Sequence, residues 1–195
     1  MANGTASASM QALRIADLLP GDGDAIRQAA SIMVEAFRHV APHAWPTVES
    51  ASEEVGETLQ EGRISRVALD GSGAVIGFIG GEPGYEGRVW EIHPLAVRPD
   101  QQGRGIGRAL VTDFEELVRE RGGVTLWVGT DDTESMTTLS GVDLYPNVWG
   151  HIARIRNLRR HPYEFYRKMG FVITGVVPDA NGPGKPDINM AKRVL

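Results

Sequence analysis

The order of its segments predicts a single mixed α/β domain. Three observations carry that expectation. Three consecutive sheet-forming runs (66–69, 74–80 and 88–97) are joined by short turns. A glycine-rich turn then opens a strongly amphipathic helix ahead of another strand, and two more strand-like runs close the chain. At 195 residues the chain can build one domain with a sizeable core but not two comfortable ones.

Residues 12–18 alternate and predict a first strand. Gly21 and Gly23 break the chain, and Asp22 or Asp24 is the expected cap of the helix that follows. Its apolar stripe is Ile26, Ala29, Ala30, Met33, Phe37 and Val40. A loop over 42–46 carries Trp45, and an acid-rich helix is expected over 47–61, with Val55 and Leu59 one turn apart. The next three runs are joined by 70–73 and 81–87, which read as hairpin connections, so these strands are expected to be antiparallel.

After Pro99, the helix is marked by Ile106, Leu110, Val111, Phe114, Leu117 and Val118 on one face, and Gly122 and Gly123 end it. The strand at 124–128 completes a strand–helix–strand unit, which implies a right-handed crossover between parallel strands. A helix is expected over 148–158 from the spacing of Val148, Ile152 and Ile155. His161-Pro162 interrupts it, with Pro162 suited to the first turn of a new short helix. Runs 171–177 and 187–194 predict the last two strands.

Composition narrows the chemistry. With no cysteine, disulfides, thiolate metal sites and a thiol nucleophile are closed. The net charge of −5 argues against a nucleic-acid face and mildly favours a cationic ligand. No apolar run approaches bilayer length, and residues 1–10 lack a secretory pattern, so they read as a disordered leader to a domain spanning 11–195. A cytoplasmic location is expected. The five histidines show no metal-ligand spacing, and no metal is expected.

The turn Gln102-Gly103-Arg104-Gly105-Ile106-Gly107 lets backbone approach a ligand closely at a helix N-terminus, where free N–H groups and the helix dipole favour an anion such as a pyrophosphate. Arg104 and Arg108 add charge at its edge. The bland alternative is a tight strand–helix turn with no ligand. A P-loop would need Lys-Ser or Lys-Thr where Arg108-Ala109 stands, and a dinucleotide fold would put the glycines after its first strand.

The pattern filled by Gln102, Gly105 and Gly107 resembles the coenzyme A motif of GNAT acetyltransferases, and the run Glu164 to Phe171 (EFYRKMGF) resembles that family's second signature. Further stretches are similar to the aminoglycoside 6′-N-acetyltransferases of the enterococcal chromosomal type: Trp90 to Leu95, Gly129 to Asp132, His161 to Tyr166, Pro178 to Gly182 and Lys185 to Ile188. Similarity is dense over 74–193 and loose in the N-terminal third, where Trp45-Pro46 matches within a longer loop. The resemblance implies the GNAT fold: a mixed, mostly antiparallel sheet flanked by helices, with strands 4 and 5 splayed. It also implies acetyl-coenzyme A as cosubstrate, an aminoglycoside as acceptor and a homodimer.

Acetyl transfer from a thioester to an amine requires a held donor, a stabilised carbonyl oxygen, removal of a proton from the ammonium, and protonation of the departing sulfur. The resemblance assigns Leu95, Ala96 and Val97 to the pantetheine arm, with the Leu95 amide at the thioester oxygen. It assigns Gln102, Gly103, Arg104, Gly105, Ile106, Gly107 and Arg108 to the pyrophosphate, and Tyr166 to the acid role. Glu91 and His93 occupy alternate residues and are expected to share the face of Leu95. Glu91 is either the base or proton relay, or only a cation-binding carboxylate; His93 shapes the site. Asp131 and Asp132 either complete an anionic cleft or cap a loop. Trp45 either stacks on a sugar ring or packs in the core. Transfer is expected by direct attack in a ternary complex. Acetylation of another amine (a protein N-terminus or lysine, a polyamine, a small metabolite) and a non-catalytic coenzyme A-binding module are the alternatives.

Overall fold

A computed structural model describes residues 13–194; the expected leader at 1–10 lies outside them. The chain runs β1 (Arg14–Asp17), α1 (Gly23–Phe37), α2 (Val48–Thr58), β2 (Ile64–Leu69), β3 (Val75–Gly84), β4 (Val89–Val97), α3 (Ile106–Glu120), β5 (Thr125–Asp131), α4 (Val148–Ala153), α5 (Tyr163–Lys168), β6 (Val172–Val177) and β7 (Asp187–Arg193). One seven-stranded sheet has the order β1-β2-β3-β4-β5-β7-β6. Only β4–β5 is parallel, as the crossover through α3 requires; every other pair is antiparallel.

Two clusters of buried side chains sandwich the sheet. On one face Ala29, Ala30 and Met33 of α1 and Ala51 and Val55 of α2 meet Val67, Val75, Phe78 and Ala96. On the other, Leu110, Phe114 and Val118 of α3 and Tyr163 and Tyr166 of α5 meet Ile79, Ile92, Leu126, Val128 and Ile188. The buried helix residues lie largely on the apolar stripes legible in the sequence, and three local expectations shift. The α1 stripe overruns: the helix ends at Phe37, and Val40 falls in the following loop. Asp22 sits at the cap of α1 without a side-chain bond, while Asp24 pairs with Arg27. The helix expected over 148–158 stops at Ala153, because residues 156–158 pair back onto 136–138 (Thr138 N to Arg156 O at 3.1 Å, Leu158 N to Met136 O at 2.8 Å).

The most consequential departure concerns 81–87. It is not a free hairpin connection. β3 continues through Gly84, pairing Gly81 with Ile92 and Gly84 with Val89, and only Tyr85–Gly87 turns. The register shifts between Ile79, opposite Leu95, and Gly81, opposite Ile92, so β4 carries one extra residue at His93-Pro94. Two glycines make the bulge possible. A Cβ on Gly80 would lie 2.4 Å from Thr58 of α2 and 2.9 Å from the His93 carbonyl oxygen, and one on Gly81 would lie 2.4 Å from Phe114 of α3. Helices press on the bulge from both faces. Gly81→Ala, whose Cβ would also stand 2.3 Å from the Glu91 carbonyl oxygen, is expected to overpack this point and cost about 1–3 kcal/mol, several degrees of Tm; thermal unfolding followed by circular dichroism checks it, and an unchanged Tm would mean that both Phe114 and the β4 backbone give way.

Candidate active site

β4 and β5 pair only over Val89–Glu91 against Thr125–Trp127. Beyond that point β5 stays with β7 as far as Asp131, and β4 runs on to Val97 paired only with β3. The strands splay, and the backbone polar groups on the β5 side of β4 from Ile92 onward have no strand partner there.

The bulge also swaps faces. Before it, Trp90 and Ile92 point into the α3 core; after it, Leu95 and Val97 do so, while Ala96 joins Phe78 on the α1/α2 side. Glu91 and His93 therefore face the opposite side of the sheet from Leu95. The expectation of a shared face fails because strict alternation assumes a strand without an inserted residue. The splayed gap thus has two mouths, one on each face.

The mouth on the α3/α5 face is a groove lined by Leu95, Val97, Gln102, Gly103, Gly105, Ile106, Gly107 and Arg108, together with Phe165, Tyr166 and Lys168. Gly103 and Gly105 take positive φ of 76° and 88°, with open space where side chains would stand. The first intrahelical bond of α3 runs from Ala109 N to Gly105 O, so the N–H groups at 105–108 are free of the helix ladder, and no acid sits in that turn. These features fit a bound pyrophosphate at its N-terminus. Gly107 is tight as well as bare: a Cβ there would lie 3.4 Å from Phe165. Three of the expected contacts are placed as follows. Ala96 turns its side chain into the α1/α2 core, leaving only backbone for a ligand; Arg104 is exposed outside the lining; and the Gln102 amide donates to Val97 O at 3.1 Å, closing the turn onto the end of β4.

The other mouth opens between the α1–α2 loop and the ends of β4 and β5, lined by Val40, Trp45, His93, Pro94, Leu95, Gly129, Asp131 and Tyr166. Trp45 meets Phe37 edge to face at 4.8 Å and lies 5.6 Å from the His93 ring; it packs on the α1/α2 core and also forms a wall of this hollow. Glu91 lies one step back along β4. It borders the hollow holding Glu54, Glu57, Glu82 and His93, and a groove running over Trp127 to Asp187 and Asn189. His93, half exposed, joins the first hollow to the second. Burial holds Glu91 above the ordinary carboxylate range; His93 opposes that rise, while Glu82 and Asp187 add to it.

Leu95, Pro162 and Tyr166 line both mouths. Tyr166 is 6% exposed, and burial pushes its phenol well above the usual tyrosine value, so the hydroxyl remains a proton donor at any ordinary pH. Its placement begins at His161. The buried ring accepts from Tyr163 N through Nδ1 (3.2 Å), which leaves Nε2–H to donate to Asp131 O (3.0 Å). Burial lowers the His161 pKa, consistent with that neutral tautomer. One imidazole thus pins the start of α5 to the end of β5.

Of the two adjacent aspartates, only Asp131 faces the cleft. Asp132 is fully buried, and its carboxylate accepts from Met136 N (2.6 Å) and Thr137 N (2.8 Å); it caps the loop that follows β5 and is removed from the anionic cleft. Asp131 Oδ1 accepts from Asn181 Nδ2 at 2.6 Å. Asp187, paired with Asp131 across β5–β7, was not evident from the sequence as part of the cleft. Its Oδ1 and that of Asn189 are buried without a hydrogen-bond partner among the described residues, and burial, then Asp131, push Asp187 up to about 6. Gly129 makes room for it, since a Cβ there would stand 2.9 Å from Asp187 Oδ2.

Comparison with known proteins agrees with this geometry. Residues 27–138 match the Acetyltransferase (GNAT) family. A crystal structure of an aminoglycoside 6′-N-acetyltransferase complexed with coenzyme A is similar at 40% identity, covering 93% of this chain and 97% of that one, with a TM-score of 0.85. The aminoglycoside 6′-N-acetyltransferase from Enterococcus faecium has 40% identity over the same shares and a TM-score of 0.83. An uncharacterized N-acetyltransferase of Methanocaldococcus jannaschii is 37% identical over 108 residues, 54% of this chain and 33% of its own length, so the match reaches only a third of that protein. A groove shaped for a pyrophosphate, a splayed β4–β5 pair and a buried tyrosine between two mouths thus occur in a chain that belongs to the GNAT family and is an acetyl-coenzyme A-dependent N-acetyltransferase.

Proposed function

We propose that the chain acetylates an amine of an aminoglycoside, at the 6′ position. One observation carries the reading. The mouth opposite the coenzyme groove, and the grooves continuing from it, present Glu54, Glu57, Glu82, Glu91, Asp131 and Asp187, a run of carboxylates suited to a ligand with several positive charges. The similarity to two aminoglycoside 6′-N-acetyltransferases along nearly their whole length supports the same substrate.

When bound, acetyl-coenzyme A supplies an acetyl thioester at the gap. The chain's residues do the rest. The α3 N-terminus and Arg108 hold the pyrophosphate, and backbone of Leu95, Ala96 and Val97 orients the arm, with the Leu95 N–H toward the thioester oxygen. The amine enters from the α1/α2 side and loses a proton to Glu91, through His93 or water, because Glu91 stands outside the hollow that holds Tyr166. As the amine nitrogen bonds to the carbonyl carbon and the carbon–sulfur bond breaks, Tyr166 donates its proton to the sulfur, and the second proton released by the nitrogen restores the phenol, so that the net proton left over is the one taken by Glu91 and passed to solvent. Trp45 and Asp131 flank the acceptor. Antibiotic resistance is the activity's expected consequence, in the cytoplasm. A homodimer is supported by exposed Tyr145 and Trp149 around α4 beside exposed Val172 and Val177 of β6, the sheet's edge strand.

A thiol-release assay with acetyl-coenzyme A against kanamycin, tobramycin, spermidine and a lysine peptide tests the reading, with the product's acetylated position fixed by mass spectrometry and NMR. Acetylation of the aminoglycosides at the 6′ amine is expected. Transfer to spermidine or the peptide alone would sink the substrate and leave the enzyme class intact.

A further inference from the structure

Glu54 reads in the sequence as one acid among several on a solvated helix face, with Glu49, Glu53 and Glu57. In the fold it is different from its neighbours. Its side chain is 20% exposed, whereas Glu53 and Glu57 lie open to solvent. Its carboxylate bridges two residues of the acceptor mouth: Oε2 accepts from Trp45 Nε1 at 3.2 Å, and Oε1 lies 3.4 Å from His93 Nε2. The bridge is built in by α2. Thr47 caps the helix immediately after Trp45-Pro46, accepting from Ser50 N at 3.2 Å, so the helix starts beside the tryptophan and returns a carboxylate to it two turns later.

We propose that Glu54 is a positioning residue of the acetyl-transfer site, tying Trp45 on its loop to His93 on the β4 bulge so that both face the gap beside Glu91. This rests on the acetyltransferase reaction and not on which amine is accepted. The indole can only donate, so a carboxylate oxygen is its natural partner. Without that bond Trp45 keeps only its packing, against Phe37, the His93 ring and the α1/α2 core.

The bridge has an electrostatic consequence. Facing His93 are Glu54 and Glu57 from α2, Arg63 just before β2, Glu82 from β3 and Glu91 from its own strand, and Arg63 is taken up by Glu82 at 2.7 Å. The bond from Glu54 raises the His93 pKa most; burial opposes it, and the charges of Glu54, Glu91 and Glu82 add to it. While His93 carries a proton, its charge pulls Glu91 down against the burial that raises it. Glu54 therefore acts on the ionisation of Glu91 through His93.

The test is an NMR titration of the histidine rings in the full chain, with His93 assigned from its absence in His93→Asn, for the unaltered chain, Glu54→Gln and Glu53→Gln. In Glu54→Gln the His93 midpoint should fall by about one pH unit, the size of effect a close opposite charge exerts. In Glu53→Gln, which removes the same charge from the outer side of the helix, it should stay in place. The acid limb of the kcat profile should move to higher pH in Glu54→Gln alone. The acceptor KM should rise more in Glu54→Ala than in Glu54→Gln, because the glutamine oxygen can still accept from Trp45. Should Glu54→Gln fail to fold, Glu54→Asp, whose carboxylate is drawn back by one methylene, gives the same reading. A His93 midpoint that does not move in Glu54→Gln, or in Glu54→Asp where that variant replaces it, or that moves equally in Glu53→Gln, overturns the proposal.

Discussion

Tyr166→Phe is expected to lower kcat by about 100-fold or more while leaving coenzyme binding largely intact. The ring's packing against Phe165 and Phe171 survives the change (centroids at 5.1 and 5.3 Å), so the variant removes a hydroxyl and little else. That hydroxyl belongs to a residue lining both the coenzyme groove and the acceptor mouth. Burial raises its pKa, so the proton-bearing form persists as pH rises; the unaltered enzyme should show no alkaline loss attributable to this group below about 10, the ordinary phenol value. Isothermal titration with coenzyme A and steady-state kinetics on one preparation separate the effects. Equal losses of affinity and rate would return Tyr166 to a packing role.

The fold was legible wherever a single local rule governs. The α3 stripe and the glycines that end it, the strand–helix–strand crossover and the two closing strands all follow from periodicity and turn chemistry, and all stand where expected. What escaped was set by partners distant in sequence. Residues 154–158 keep helical spacing, yet pairing with 136–138 outweighs it, and Ile155 packs on the core from a loop. The glycines and proline at 80–84 carry every local mark of a turn. Gly80 and Gly81 serve instead to let two helices close on a bulged strand pair, a demand visible only once Thr58 and Phe114 are placed.

The site divides in the same way. Much of the groove proposed for the coenzyme comes from one continuous stretch, 101–108, which motif spacing can single out, while Leu95, Val97, Phe165, Tyr166 and Lys168 add to its lining. The acceptor side is assembled from the α1–α2 loop, β3, β4, β5 and β7, and carboxylates there take roles by burial rather than by residue type. Asp131 and Asp132 are neighbours with opposite fates, one facing the cleft and the other consumed by two backbone N–H groups. Glu54 and Glu53 repeat the contrast on α2. Asp187 carried only a faint signal, its place in a Lys-Pro-Asp-Ile stretch, because its partner across the sheet is Asp131, more than fifty residues earlier.

Glu91→Gln carries the second large expected effect: kcat/KM for the acceptor should fall at neutral pH by about 100-fold, the lower end for loss of a positioned general base, and recover in part as pH approaches the acceptor's own amine pKa. The sign follows from the environment. Burial, with Glu82 and Asp187, raises Glu91, and only His93 opposes them. A carboxylate with a raised pKa loses its base form earlier on acidification, so the acid limb of the unaltered enzyme should lie above the ordinary carboxylate range and vanish in Glu91→Gln. Glutamine keeps the shape and hydrogen-bonding reach of the side chain, which separates proton removal from cleft geometry. The two roles left open for this residue then make opposite demands on the data. A base gives a lower rate whose deficit shrinks with rising pH, since a deprotonated amine no longer needs it. A cation-binding carboxylate gives a raised acceptor KM at every pH at which the amine is charged, with kcat and the acid limb unmoved. A pH series of full kinetic curves from about pH 4, near the ordinary carboxylate value, to about pH 10, near that of the amine, decides between them.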